Sequence, residues 1–403
     1  MKRIYLDANA TTSLRPEVRT VMMDIYDHVW ANASSVHEDG QRARAAVEIA
    51  RAQIAAGLGT RPEELLFTSG ATEANNTAIA SAVETGLQAG KNHVVVSRVE
   101  HPSAIGPIEK MVDAGTIECT WIEPDGYGTI ESSAILDAVT DETSLVVMMA
   151  ANNEIGNIYP IKEISTSLRD QEIHLHCDCV QQVGKVPLNL NELGVSSASI
   201  SGHKVHGPKG VGALYLRSGL RLNPFIVGGH QERERRAGTE AVALIGGFGA
   251  AVEWATGPGL SSQIRIEELR NMLWDGIEQR IAGVHRNGTD GSQPSLPNTL
   301  NVSFDDTEGE TLLISLDLAG VSVSSGSACT AGSLEPSHVL LAMALAPERA
   351  RAAVRFSLSY DTKRADIETV LSVLPDIVQT VRMADPSLPS HTNDHALEEG
   401  QHG

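Results

Sequence analysis

Apolar residues recur along the chain with two distinct periods. Val18, Val21, Met22, Ile25 and Val29 share one helical face over 16–29, and Ala43, Val47, Ala50 and Ile54 repeat that spacing over 40–56. From residue 64 short apolar runs alternate with helical patterns. Runs at 65–67, 93–96, 117–122, 144–150, 173–177, 198–201 and 211–216 predict strands. Helices are predicted to open at Ser69-Gly70 and at Pro102, and to cover 131–139 and 161–169. The 144–150 run is continuously apolar after Ser144, as in a strand buried on both faces. This alternation predicts an α/β fold with a mostly parallel sheet.

After residue 238 the rhythm changes. A helical pattern over 241–255 runs into Gly257-Pro258-Gly259. Helices are then predicted at 262–281, 310–318 and 364–382, with strands at 299–304, 321–324 and 354–358. These elements predict a smaller α+β domain. The expected division is 14–257 as the large domain, 1–13 with 258–383 as the small domain, and 384–403 as a polar, disordered tail.

Composition narrows the class. The chain has 403 residues, more than one small core organises, and is 41% hydrophobic and 20% charged, as in soluble globular proteins. Its net charge of −20 argues against a nucleic-acid or anionic-membrane partner, since both need a basic face. An early acidic residue, Asp7, and the lack of a long apolar run argue against a signal peptide or a membrane span. Cys119, Cys177, Cys179 and Cys329 are scattered, which suggests free thiols and a cytoplasmic protein.

Candidate chemistry lies at predicted strand ends, where parallel sheets gather ligands. Lys204 follows a strand in Ser201-Gly202-His203-Lys204; it is a solvated charge or a buried nucleophilic amine. Ser69-Gly70-Ala71-Thr72 opens a helix as an anion site or as an ordinary cap. His101 could stack on a flat ring and move protons. Asn152-Asn153 could orient a substrate or simply form a turn. In His174-Leu-His176-Cys177-Asp178-Cys179, the strand period places 174, 176 and 178 on one face and the cysteines on the other. The cluster therefore reads as no metal site, and Asp178 reads as a carboxylate that could keep a pyridine nitrogen protonated, with Gln181 near the ring's phenolic oxygen. Cys329 sits in a run of small and polar residues, 324–333, as an exposed reactive thiol or a tolerated surface cysteine. Arg355 lies in an apolar strand and needs an anionic partner such as a substrate carboxylate.

These features resemble the type I (aspartate-aminotransferase fold) pyridoxal-phosphate enzymes, and more narrowly the cysteine desulfurases. The motifs are Tyr5-Leu-Asp-Ala-Asn-Ala-Thr-Thr12, Phe67-Thr-Ser-Gly-Ala-Thr-Glu73, Glu100-His101-Pro102, Asn152-Asn-Glu-Ile-Gly156, Ser201-Gly-His-Lys204, Gly228-Gly-His-Gln-Glu-Arg233, Arg236-Ala-Gly-Thr239, Ser324-Ser-Gly-Ser-Ala-Cys-Thr330 and Arg355-Phe-Ser-Leu358. They run in family order from residue 5 to about 383, and the NifS type is more similar than the IscS type.

The resemblance implies that Lys204 holds pyridoxal 5'-phosphate as a Schiff base and that Asp178 pairs with its ring nitrogen. Gln181 meets the phenolic oxygen, and His101 stacks on the ring as acid and base. Ala71, Thr72, Ser201 and His203 bind the phosphate, with Thr239 reaching the other subunit of a homodimer. Asn153, Arg355 and Asn32 bind L-cysteine, and Cys329 takes its sulfur as a persulfide. An iron–sulfur scaffold or other acceptor protein would receive it, with nitrogenase maturation the implied use. The rivals are an IscS-type desulfurase, a selenocysteine lyase and an aminotransferase. Cys177 and Cys179 depart from the family pattern, as does Ala31-Asn32-Ala33 in place of Gly-Asn-Pro.

Overall fold

The computed structural model describes residues 3–169, 171–291, 293–325 and 336–384. Cys329 and the tail from 385 lie outside them. Strand β1 (Ile4–Tyr5) opens the chain, followed by helices α1 (Pro16–His28) and α2 (Glu38–Gly57). The alternating region then gives β2 (Leu65–Thr68), α3 (Ala71–Gln88), β3 (His93–Ser97), α4 (Pro102–Asp113) and β4 (Glu118–Ile122). It continues through β5 (Thr143–Val147), β6 (His174–Asp178), β7 (Ser197–Ser201) and β8 (Gly212–Leu216).

These strands form one seven-stranded sheet in the order β2-β8-β7-β6-β5-β3-β4. From β7 to β4 every pair is parallel, while β8 runs antiparallel to both β7 and β2. The parallel strands are apolar because helices cover both faces: Val94, Val95, Val96, Leu145, Val146 and Val147 are all fully buried. Strand β5 ends three residues earlier than the 144–150 run suggests. Met148 and Ala150 still donate to the His176 and Asp178 carbonyls at 3.1 and 2.9 Å, but the ladder with β3 stops at Val147.

A second sheet pairs β9 (Val284–Asn287), β10 (Thr299–Phe304) and β12 (Ala353–Ser357) in the antiparallel order β12-β10-β9. Strand β11 (Val321–Ser322) pairs in parallel with β1, so the N-terminus joins the C-terminal half. A separate apolar cluster gathers Leu6 with residues from Ile266 to Val381, including the face of the last helix, Arg364–Ala384. Strand β9 escapes the sequence pattern because it is an edge strand with His285 and Arg286 at its centre. Helices His338–Ala342 and Pro347–Arg351 are one turn each, too short for a period to show. Among the described residues no helix is long and apolar enough to cross a membrane.

Candidate active site

A cavity of ≈ 550 Å³ opens at the carboxyl ends of the parallel strands. Its walls include Ala71, Thr72, His101, Asn153, Asp178, Gln181, Ser201, His203, Lys204 and Arg355, which the sequence scatters over nearly three hundred positions. Asn32 and Thr239 are not among them. Asn32 is exposed in its own chain, and its Oδ1 accepts the Ser34 N–H at 2.8 Å in a local turn. Thr239 is exposed in its own chain.

Gly70 is the N-cap of helix α3, and no side chain caps it. Its first N–H groups therefore face the cavity rim without a protein acceptor from a cap. The approach is tight on the sheet side: a Cβ on Gly212 would stand 2.5 Å from the Ile200 carbonyl oxygen and 2.8 Å from Gly70 Cα. On the cavity side a Cβ at Gly70 would meet nothing within 4 Å. Space and free donors together fit a phosphate.

Asp178 ends β6 with its side chain almost wholly buried. Its Oδ1 accepts the Val180 N–H at 3.0 Å and its Oδ2 accepts from Asn75 Nδ2 at 2.9 Å. His101 caps α4, with Pro102 at the first helical position. Its Nδ1 accepts the Ser103 N–H at 3.1 Å and sits 2.8 Å from the Ser103 hydroxyl. The neutral ring thus carries its proton on Nε2, at the opposite edge. Burial holds the His101 pKa below its usual value, against the pull of Asp178. Burial, with Lys204 second, pushes His203 down to about 4.

The amine of Lys204 donates to the carbonyls of Asn9 and Ala10, the latter at 2.9 Å. Asn9 is a junction for the whole site. Its carbonyl also accepts from Gln181 Nε2 at 3.1 Å, and its Oδ1 accepts from Lys185 Nζ at 3.1 Å. Its Nδ2 donates to the Asn153 carbonyl at 3.0 Å and to Thr299 Oγ1 at 2.8 Å. Lys185 also donates to Gln181 Oε1, which orients that amide. Burial first, then Lys204 and Arg355, holds the Lys185 pKa well below the usual lysine value.

Arg355 is 1% exposed on β12. Its Nη2 donates to Asp7 Oδ1 at 2.9 Å and its Nη1 to the Asn153 carbonyl at 3.2 Å, while its buried Nε has no partner among the described residues. Asp7 and the Asn153 carbonyl thus fix the fork, and Arg355 lines the cavity. Beneath His101, Glu100 is fully buried, and burial pushes its carboxyl up to about 8. Its Oε1 accepts from the Ser97 hydroxyl at 2.6 Å and the Met149 N–H at 2.7 Å.

On the other face of β6, Cys177 and Cys179 are fully buried with their sulfurs 3.7 Å apart. His174 and His176 point away from them and bond Ser197. The supporting residues Asp7, Asn9, Asn75, Ser103 and Lys185 lie outside the set that the sequence points to. Asp7 and Asn9 carried a signal in the Asp-Ala-Asn-Ala-Thr-Thr motif; the others carried none.

A carboxylate at the floor, an amine in the wall and an uncapped helix at the rim fit a phosphorylated pyridine, and they define an α/β enzyme of the pyridoxal-phosphate type. The aminotransferase class-V family matches residues 4–370, and the chain belongs to that pyridoxal-phosphate-dependent family. Within it the similarities are narrower. A cysteine desulfurase IscS of Dictyoglomus turgidum is 43% identical over 387 residues, 96% of this chain and 97% of the relative. The solved structure of a NifS-like protein is 34% identical with a TM-score of 0.87, covering 94% of this chain and 100% of that one. SspA in complex with cysteine is 32% identical with a TM-score of 0.77, covering 88% and 99%.

Proposed function

We propose that this protein is a cysteine desulfurase that turns L-cysteine into L-alanine and leaves the sulfur as a persulfide on Cys329. The observation that carries the reading is the convergence of Lys204, Asp178, His101 and Arg355 on one cavity. Lys204, Asp178, Gln181, Ala71, Thr72, Ser201 and His203 are the residues that would hold pyridoxal phosphate. When bound, that cofactor supplies an electron sink that weakens the substrate's Cβ–sulfur bond. Arg355 takes the substrate carboxylate, with Asp7 and the Asn153 carbonyl fixing its fork. His101 keeps a proton on Nε2 for transfer at the substrate. The Cβ–S bond breaks and an S–S bond to Cys329 forms. Cβ takes up a proton, so cysteine plus the Cys329 thiol balance as alanine plus a Cys329 persulfide.

The persulfide then passes to an acceptor protein for iron–sulfur cluster assembly. The NifS-type motifs favour nitrogenase as the client. An IscS-type desulfurase, the name the Dictyoglomus relative carries, is the second reading. Thr239 is assigned to the cofactor phosphate of a second copy in a cytoplasmic homodimer. The exposure of Trp30, Val36 and Val227, each more than three-quarters open to solvent, supports such a pairing. Residues 14–257 are assigned to the cofactor-binding domain and 1–13 with 258–383 to the smaller one. The separate apolar cluster around β10 and β12 supports this division, although Val339 and Leu340 pack with the larger core.

The test is Cys329→Ser in the holoenzyme. Alanine formation from cysteine is expected to fall by orders of magnitude while the bound cofactor's visible absorption is retained. Alanine formed at the wild-type rate would overturn the reading.

A further inference from the structure

A line of buried polar side chains runs along one face of β6 and ends on Asp178. His174 Nε2 lies 2.7 Å from Ser197 Oγ, which lies 2.8 Å from His176 Nδ1. His176 Nε2 lies 2.9 Å from Asn75 Oδ1, and Asn75 Nδ2 donates to Asp178 Oδ2 at 2.9 Å. His176, Ser197 and Asn75 are fully buried, so no solvent completes these bonds.

The direction of every bond can be derived. Asn75 Oδ1 can only accept, so His176 Nε2 carries the ring proton. Burial pushes His176 down to about 3, so the ring is neutral and its Nδ1 accepts from the Ser197 hydroxyl. Ser197 Oγ in turn accepts from His174 Nε2, whose ring burial also keeps neutral, at about 4. All donors therefore point one way, toward Asp178. A second branch uses the remaining amide hydrogen: Asn75 Nδ2 donates to Ser103 Oγ at 2.8 Å, and Ser103 Oγ meets His101 Nδ1.

The orientation of an asparagine amide is ambiguous on its own, since its oxygen and nitrogen are nearly the same size. Here the Asp178 carboxylate decides it, because an acceptor-only group needs the amide nitrogen facing it. Were Asn75 turned over, its Oδ1 would face Asp178 Oδ2, and that pair would need a proton to hold it together. We propose that Asn75, His176 and Ser197 are positioning residues that hold Asp178 as an acceptor-only carboxylate for the cofactor's ring nitrogen and tie it to His101. The proposal rests on the reading of Asp178 as that nitrogen's partner.

Other titratable groups around Asp178 are Glu100 and His101 after β3, Lys204 after β7, and Cys177 on its own strand. Its carboxylate accepts from Asn75 Nδ2 and from the Val180 N–H. Weakening the Asn75 chain makes Asp178 a poorer partner for a ring N–H. A less positive ring lets the cationic group at the lysine end keep its proton to higher pH.

The test is a pH titration of the visible absorption band of three holoenzyme variants, Asn75→Asp, Ser197→Ala and Asp178→Asn, with melting of each apoprotein alongside. Asn75→Asp sets a second carboxylate beside Asp178. It is expected to raise the band's midpoint by about one pH unit and to weaken cofactor retention about tenfold. Ser197→Ala, two bonds further away, is expected to raise the midpoint by a smaller amount. A merely structural role would lower the apoprotein melting temperature and leave the midpoint in place. If Asp178→Asn moves the midpoint but neither Asn75→Asp nor Ser197→Ala does, the proposal is overturned. If Asp178→Asn also leaves it in place, the assignment of Asp178 to the ring nitrogen falls instead. Should Asn75→Asp fail to fold, Ser197→Ala decides alone, in either direction.

Discussion

Arg355→Lys tests the substrate anchor because it keeps the charge and removes the fork. In the wild type Nη2 is committed to Asp7 at 2.9 Å and Nη1 reaches the Asn153 carbonyl at 3.2 Å, which leaves the remaining hydrogens of Nη1 and Nη2 for a carboxylate. A lysine ammonium at this fully buried position can satisfy Asp7 or a substrate, but not both in one planar geometry. A hydrogen bond between charged groups is worth about 1.5–3 kcal/mol. At about 1.4 kcal/mol per decade, losing one such bond lowers kcat/KM about 10- to 100-fold. A carboxylate contact is made equally in ground and transition states, so the loss should fall on KM and spare kcat. The assay is alanine formation against cysteine concentration, with the cofactor's absorption band as a control for an intact site. Asp7→Asn should give a smaller rise in KM, and the double variant should cost less than the sum. An Arg355→Lys enzyme with unchanged KM would refute the assignment.

Glu100→Gln addresses the buried acid. Because the folded pKa of Glu100 is raised to about 8, its contribution is fully present below the unfolded value near 4.5 and is lost as pH rises toward 8. Wild-type melting temperature should therefore fall between those limits, and Glu100→Gln should flatten that fall; parallel pH profiles for the two proteins would contradict this. Gly212→Ala forces a Cβ to within 2.8 Å of Gly70 Cα, so the helix start at the phosphate rim must shift. Strain of that kind costs about 1–3 kcal/mol, and titration of cofactor into the apoprotein should show affinity at least about tenfold weaker. An unchanged affinity would sink the role given to that rim.

The parallel strands were readable because a strand covered on both faces has no polar side to blur it, as in Val94-Val95-Val96. The reversal of β8 was not readable, since direction is set by the path of the 202–211 loop and not by the strand's own residues. The residues that line the cavity were legible where a strand end met unusual chemistry, as at Lys204 and Asp178. What positions them was not. Asp7 and Arg355 are 348 residues apart, and Asn75 and Asp178 are 103 apart, so their pairing exists only after folding. Asn75 shows no local sign of its role, because a helical asparagine facing a strand looks like any other. Asn32 lies outside the cavity wall of its own chain, where its side chain closes a local turn.

The central claim, that sulfur leaves cysteine for Cys329, is tested most directly by one turnover of isotopically labelled L-cysteine with the holoenzyme in the absence of reductant. The protein is then digested and the peptide bearing Cys329 is weighed. The account predicts one added labelled sulfur on Cys329 for each alanine formed. Alanine released with no labelled sulfur on Cys329, or with the sulfur on Cys119, Cys177 or Cys179 instead, would contradict it.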